Sequence, residues 1–570
     1  MWLSVASQAA AHAAKCCVTV SGRVNIAFMH RRELLRLVKS LAALGVIAAA
    51  ALGALSGCGD GAANSQAADA KAEHPPVVLL IFDELPAPTL MKPDHAVDAE
   101  RYPNFAALEA NSTFYHDATT VSDATFAAVP AIFGGWRPVG QHQGKPDREI
   151  DMKHTVFTLL SPTYKLNVFE PISYICTRKI CPKSTHQDLI PARGKENPGE
   201  TTGRTQNVLI ARTEKAIAAI KTPAPGSKPV AHILHIEMPH PPWRYLPTGQ
   251  AYRIFDNDKP GLVNPPPTKN DILAGRTQGP PHWIDDQYIV DQGTQRHLLQ
   301  AANADRILGV IIARLKAAGL WNDALVIATA DHGANFLTNE LRREARGKSL
   351  TQLAGVPIFL KLPGQTTGAA SSSSVTTIDI LPTIAQQTNL GKNWKFTGIP
   401  LNVARPTAGP NVRASGARAQ VRESHSQFIA ERDAWLATLA RRFPAGKEAL
   451  YRSGPNQELI GAPMPSSLDP TPSGQRAYFS YPPTYANMNP KSKLISAYVS
   501  GRLEGVPPKQ DLALVVNDRI AAVGRSYQDG SLVHFSMIVP PTSFRKGANT
   551  LALLAVKDGK PAWQLGGVGR

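Results

Sequence analysis

Apolar runs and periodic stretches divide this chain before any single residue stands out. Val77-Val78-Leu79-Leu80-Ile81-Phe82 is an unbroken run of large or β-branched residues, the pattern of a strand buried on both faces in a parallel sheet. Leu325-Val326-Ile327-Ala328-Thr329-Ala330 repeats it. Residues 166–169, 230–236 and 356–360 read as further strands, and 112–115 as a short one. A helix is predicted from Pro103, with proline in its first turn, and another over 126–133, stopped by Gly134-Gly135. Ile307, Val310, Ile311 and Leu315 fall at i, i+3, i+4 and i+8 and predict a third. A fourth contains Pro382, Ile384 and Ala385, with Asp379 placed to cap it. Strands and helices alternate across residues 77–390, so the predicted class is α/β, an α/β/α sandwich with a mostly parallel central sheet.

The pattern changes elsewhere. Residues 244–286 are rich in proline, lack a period and exceed the usual loop length, which fits either a lid or wall beside a site, or plain irregular surface. Beyond Asn402 come a polar helix over 417–443, a Pro/Ser/Gly-rich stretch over 453–485, and short strands at close spacing up to residue 556. That rhythm predicts a small C-terminal β-sandwich. The expected layout is a signal segment (1–57), a flexible tether (58–76), the α/β domain (77–402), a helical and irregular connector (403–475) and a β-sandwich-like accessory domain (476–570).

Charge adds one feature. The formal net charge is +17, and residues 403–570 hold 21 Lys/Arg against 11 Asp/Glu, so the surplus lies mostly outside the α/β region. A basic face of this kind can meet anionic lipid or polysaccharide, or be no more than a basic soluble surface. No nucleic-acid motif, P-loop, GxGxxG or internal repeat occurs, and no nucleic-acid partner is expected.

Arg31, Arg32, Arg36 and Lys39 precede an apolar run over 41–55 and then Ser56-Gly57-Cys58. This resembles a bacterial lipoprotein signal, which implies cleavage before Cys58, lipid on Cys58, and an exported cell-envelope lipoprotein anchored in the membrane. The alternative is an uncleaved anchor helix. Of the five cysteines, Cys16 and Cys17 precede the apparent start at Met29. Cys176 and Cys181 remain, with four residues between them, and in an oxidising compartment they form most simply a small-loop disulfide.

Both long apolar runs end in metal-ligand types, Asp83-Glu84 after the first and Asp331-His332-Gly333 after the second. Ligands gather at the carboxyl ends of strands in such sheets, so one shared metal site is expected. Thr125 stands before the helix over 126–133, as a cap or as a nucleophile whose pKa a cation would lower.

Residues 77–402 resemble the sulfatase-like branch of the alkaline phosphatase superfamily. The resemblance rests on 77–85, Arg101-Tyr102-Pro103-Asn104-Phe105, 125–135, 235–243, Asp331-His332-Gly333 and Ile378-Asp379-Ile380-Leu381-Pro382-Thr383. It implies metal ligands at Asp83, Glu84, Thr125, Asp331 and His332, with Thr125 also the nucleophile. Around the nucleophile the chain is similar to phosphoethanolamine transferases of the bacterial envelope. That similarity places His235 and His240 toward substrate or a second metal, His240 with a catalytic role. Lys348 is matched to a late basic position of the family. Two departures shape the expected reaction. Sulfatases form formylglycine from Cys or Ser within Cys/Ser-x-Pro-x-Arg, whereas this chain has Thr125-Phe126-Ala127-Ala128-Val129. The Lys and His that sulfatases supply after their next strand are also missing from Phe169-Glu170-Pro171-Ile172. The implied activity is therefore metal-dependent cleavage of a phosphate mono- or diester of an envelope lipid or glycan, on Zn²⁺ or Mn²⁺, with Ca²⁺ the remaining candidate. A phosphoethanolamine- or phosphoglycerol-type transferase, a sulfuric ester hydrolase and an inactive envelope-binding module are the alternatives.

Overall fold

The computed structural model describes residues 74–138, 151–173, 175–181, 212–254, 259–269, 278–345, 347–405, 411–415 and 420–567. The signal segment with Cys58, and most of the tether, lie outside them.

Seven strands form the main sheet: β1 (Val77–Asp83), β2 (Thr113–Tyr115), β3 (Lys165–Phe169), β4 (Val230–Pro239), β5 (Leu325–Ala330), β6 (Ile358–Lys361) and β7 (Ala369–Ser371). Their order is β7-β2-β6-β5-β1-β4-β3. Strand β1 lies inside the sheet, parallel to both β4 and β5, and every one of its residues is buried. The β3–β4 and β7–β2 pairs are also parallel, whereas β6 runs antiparallel to both of its neighbours. The mostly parallel sheet expected from the apolar runs is the one observed.

Alternation along β1 divides the core in two. Val78, Leu80 and Phe82 face one side, packing with Phe105, Leu108, Leu308, Ile311 and Leu315. Val77, Leu79 and Ile81 face the other, with Val129, Ile132, Phe133, Leu381 and Ile384. The first side is built by helix α1 (Pro103–Glu109) and the long helix α3 (Gln287–Ala317), the second by α2 (Thr125–Gly134) and α5 (Ile380–Thr388). Asp305 of α3 accepts bonds from the amides of Asn104 and Phe105, both at 2.8 Å, and so anchors the start of α1. Of the four periodic positions in α3, Ile307, Ile311 and Leu315 are buried but Val310 is 42% exposed. Asp379 does not cap α5 with its side chain; it closes a capping box on Thr376 and pairs with Arg405 at 2.7 Å.

The C-terminal region holds β8 (Arg476–Phe479), β9 (Tyr498–Glu504), β10 (Asp511–Val516), β11 (Arg519–Arg525), β12 (Tyr527–Asp529), β13 (Leu532–Ile538), β14 (Leu551–Lys557) and β15 (Lys560–Gly567). These eight strands are one hydrogen-bonded succession, joined in the middle by the parallel β8–β15 pair. Leu512, Leu514 and Leu553 from one half share a core with Val499, Phe535 and Met537 from the other, which gives the sandwich-like packing. The first predicted strand, 494–499, is displaced: the paired strand starts at Tyr498. Two residues just before it, Leu494 and Ile495, instead pair with Ala251 and Tyr252 of the proline-rich excursion. Gln250 adds bonds to the carbonyls of Pro490 (2.8 Å) and Ser492 (2.7 Å).

Candidate active site

Parallel pairing of Phe82 with Ala330 brings the ends of β1 and β5 side by side, and with them Asp83 and Asp331. The Asp331 amide donates to the Phe82 carbonyl at 3.0 Å. Asp331 Oδ1 accepts from the amides of Glu84 (3.1 Å) and His332 (2.6 Å), while its Oδ2 has no hydrogen-bond donor among the described residues. Asp83 Oδ1 has none either. Glu84 adopts φ 60°, a left-handed conformation that costs a non-glycine residue roughly 1–2 kcal/mol. In that conformation its amide meets Asp331. Gly333 is needed for close approach: its amide donates to the Leu353 carbonyl at 2.8 Å, and a Cβ would collide with the Gln352 carbonyl.

Pairing with β4 is regular as far as Phe82 and then shifts, Asp83 lying opposite Pro239. His235 precedes the irregular stretch and His240 follows it. His235 is fully buried, its Nδ1 donating to Glu170 Oε1 at 3.3 Å and its Nε2 without a partner. His240 Nε2 lies 3.6 Å from Glu84 Oε1 and is partly open to solvent.

Thr125 is the first residue of α2, and the cap position belongs to Ala124, with no side-chain capping bond. Its hydroxyl is turned elsewhere, 3.1 Å from His332 Nε2 and 3.2 Å from Arg343 Nη2. His332 Nδ1 donates to the Gly333 carbonyl at 2.7 Å, so Nε2 carries the lone pair that faces Thr125. The same Nε2 is 3.5 Å from Asp331 Oδ2 and 4.0 Å from Asp83 Oδ1.

Two arginines close the cluster. Arg342 Nη1 donates to Glu84 Oε2 at 2.6 Å, and Arg343 Nε lies 3.1 Å from Glu84 Oε1. The outer edge of Arg343 spans Thr125, His332 and His240, Nη2 donating to His332 Nε2 at 2.6 Å and Nη1 standing 3.3 Å from His240 Nε2. Both arginines lie on a loop latched by Asn335, which donates from Nδ2 to the Leu341 carbonyl (2.9 Å) and from its amide to the Arg342 carbonyl (3.1 Å). Trp283 of the excursion donates to the Asn335 carbonyl at 2.7 Å and packs on Trp243 and Phe336. Asp123 Oδ2 accepts from the Ala345 amide at 2.7 Å and ties the loop's far end to the residues before Thr125. This described end of the excursion braces the arginine loop.

Electrostatics set the cluster apart from an ordinary buried network. Burial, then mutual repulsion, raises the Asp83 carboxyl above its ordinary range, and burial does the same for Asp331. Burial would raise Glu84 too, but the guanidinium groups of Arg342 and Arg343 hold it well below the carboxylate range. Burial, then Arg343, pushes His332 down to about 4. For His235, burial is outweighed by Glu170 and the two aspartates, and its pKa rises to about 9. Asp83 Oδ1, Asp331 Oδ2 and His235 Nε2 thus meet in a buried site with no hydrogen-bond partner among the described residues. Asp83, His235 and Asp331 each offer a ligand atom within 4.8 Å of the others, and so do Asp83, Glu84 and His240. Carboxylate oxygens and an imidazole nitrogen, buried and lacking donors, fit a divalent cation.

Seven of the expected residues therefore come together: Asp83, Glu84, Thr125, His235, His240, Asp331 and His332. Lys348 does not. It is exposed at the start of helix α4 (Ser349–Ala354), and the basic groups at the cluster are Arg342 and Arg343. Sequence reasoning passed over those two and Glu170. The arginine doublet shortly after Asp331-His332-Gly333, in a stretch without helical or strand period, was the available signal. Cys176 and Cys181 are disulfide-bonded, with their Cα atoms 5.7 Å apart.

The family model described as Sulfatase matches residues 77–390. The chain belongs to the sulfatase family. That family, in the sulfatase-like branch of the alkaline phosphatase superfamily, consists of hydrolases that use a divalent metal. This sulfatase-family chain is similar to the ulvan-active sulfatase of Formosa agariphila, 22% identical over 183 residues. The match covers 32% of either chain, so the chain spans about a third of the length of that curated relative. Among solved structures it is similar to a 2-O GAG sulfatase, 13% identical with a TM-score of 0.41, over 65% of this chain and 90% of the other. Phosphonate monoester hydrolase of Agrobacterium radiobacter is also similar, 16% identical with a TM-score of 0.39, over 57% and 76% of the two chains.

Proposed function

We propose that this chain is a metal-dependent hydrolase of phosphate mono- or diesters in which Thr125 is the nucleophile. The observation that carries the reading is the position of Thr125 Oγ1, within reach of both His332 Nε2 and Arg343 Nη2, which also meet each other, and beside the acidic cluster. Asp83, Asp331 and His235 would hold a divalent ion, with Glu84, His240 and His332 adjoining. Such an ion supplies positive charge that favours the ionised hydroxyl and the phosphoryl oxygens. As Arg343 Nη2 turns from His332 Nε2 to the phosphoryl oxygens, that nitrogen takes the hydroxyl proton and Oγ1 attacks phosphorus. The P–O bond to the carbon group breaks, the leaving oxygen takes that proton from His332 and departs as the alcohol, and phospho-threonine remains. Water then attacks that phosphorus, the P–O bond to Thr125 breaks, and phosphate or its monoester departs as the hydroxyl is restored. Arg343 Nη1 and Nη2, pre-set by Glu84, stabilise the charge on the transferring group. A mix of carboxylates and imidazole favours Zn²⁺ or Mn²⁺ over Ca²⁺, which prefers six to eight oxygens.

A sulfuric ester is the second reading, favoured by the family match. Against it stands Thr125 itself, which cannot be converted to formylglycine. Turnover of matched aryl phosphates, phosphodiesters and sulfates by the metal-loaded full chain decides. Sulfate as the best substrate by kcat/KM would replace the phosphate reading.

Arg343→Ala is expected to lower kcat by about 10²–10³-fold, the scale for removing one oriented donor from a developing oxyanion. Arg343→Lys restores little, because a point charge cannot contact Glu84, Thr125 and His240 together. Unchanged kcat in Arg343→Ala would remove the arginine from the reaction.

We place the protein in the bacterial envelope, anchored through lipid on Cys58, where phosphorylated lipid or glycan would be its substrate. Cys58→Ala is expected to accumulate uncleaved and without lipid label, and normal processing of that variant would contradict the anchor.

A further inference from the structure

Where sulfatases supply a Lys and a His, this chain has Phe169-Glu170-Pro171-Ile172, and the structure gives Glu170 a task of its own. We propose that Glu170 is a positioning residue: it fixes the tautomer and direction of His235 so that Nε2 is presented to the metal. The proposal rests on reading Asp83, Asp331 and His235 as the metal cluster.

The placement follows from the sheet. Strands β3 and β4 are parallel with Phe169 opposite Leu234, so the next residues along, Glu170 and His235, come together. Both are 0% exposed. The Glu170 carboxylate is itself held rigidly by the turn that follows it. Oε1 accepts from the amides of Ile172 (2.9 Å) and Ser173 (3.0 Å). Oε2 accepts from the Ser173 amide (2.9 Å) and its hydroxyl (2.7 Å). From this fixed base Oε1 accepts His235 Nδ1–H at 3.3 Å, so Nε2 is the nitrogen turned toward the aspartates and the one whose proton a cation would displace. That atom is buried, has no hydrogen-bond partner, and belongs to the residue grouped with Asp83 and Asp331. A carboxylate on the far nitrogen of a ligating imidazole locks the ring and strengthens its donor atom. Its loss typically lowers metal affinity by about 10–100-fold. A carboxylate that served only to close the turn at 170–173 would not touch the ring.

The test measures metal binding rather than hydrolysis. Full-length wild type, Glu170→Gln, Glu170→Asp, His235→Ala and the His235→Ala/Glu170→Gln double variant are stripped of metal. Each is then titrated with Zn²⁺ or Mn²⁺ against a chromophoric chelator. Glu170→Gln is expected to weaken binding by about 10–100-fold while the metal-free melting temperature stays near that of wild type. Glu170→Asp keeps the charge but withdraws it from the ring, and is expected to weaken binding likewise if the Gln variant does not fold. In the His235→Ala background Glu170→Gln should have no further effect on affinity. Wild-type affinity in both single Glu170 variants, or full additivity with His235→Ala, would overturn the proposal and leave the metal reading standing. Failure of wild type to bind either ion would overturn both.

Discussion

Thr125→Ala is expected to lose turnover by roughly 10³-fold or more while keeping its fold, the scale for deleting a covalent nucleophile. Only a hydroxyl and a methyl are removed. Thr125 is not the cap of its helix, so no helix-end bond is lost with it. The contacts given up, to His332 Nε2 and Arg343 Nη2, are worth about 1 kcal/mol each to stability, small for a body of this size. Thr125→Ser keeps the hydroxyl but loses the restriction that β-branching places on χ1, and should retain part of the activity. Thr125→Cys should not become a formylglycine sulfatase, because the surrounding Pro and Arg are absent. Substrate trapped on the wild-type protein should add the mass of one phosphoryl group to the peptide containing Thr125. A fully active alanine variant would return Thr125 to a packing role.

Chelation has the second large effect. Dialysis against EDTA to a verified metal-free state is expected to abolish hydrolysis and lower the melting temperature, both reversed by Zn²⁺ or Mn²⁺. The reason is electrostatic. Asp83 and Asp331 are buried side by side with facing oxygens that no donor satisfies, and only a cation or bound protons relieve them. At a free ion concentration 100 times its Kd, binding stabilises the folded state by about 2.7 kcal/mol. Full activity in a protein shown metal-free by elemental analysis would refute the metal role.

The parts legible in the sequence are those that a single element encodes. Val77–Phe82 and Leu325–Ala330 announced central strands because burial on both faces leaves no polar position, and the acidic residues after them marked the sheet's carboxyl edge. The antiparallel course of β6 was not legible, since a buried run reads alike in either direction. Arg342 and Arg343 escaped because a folded-back loop brings them in, and Asn335, Trp283 and Asp123 hold that loop from three separate places. Lys348 matches only by its order along the chain, and it falls past the point where the loop leaves the cluster. Glu170 was noted only as a departure from a pattern. Its use depends on the register between β3 and β4, which sequence leaves unspecified.

The pairing of Leu494–Ile495 with Ala251–Tyr252 also sets a schedule for synthesis. The excursion that carries Trp283 leaves the ribosome early, but Ser492, which Gln250 contacts, follows 242 positions later. At 5–20 residues per second this leaves the excursion waiting roughly ten to fifty seconds for its partner strand. The arginine loop does not share this delay, since Trp283 and its partners Trp243, Asn335 and Phe336 all precede residue 337. A chain stopped before residue 490 should leave Tyr252 without Ile495 and Tyr498, and so expose its ring to chaperones.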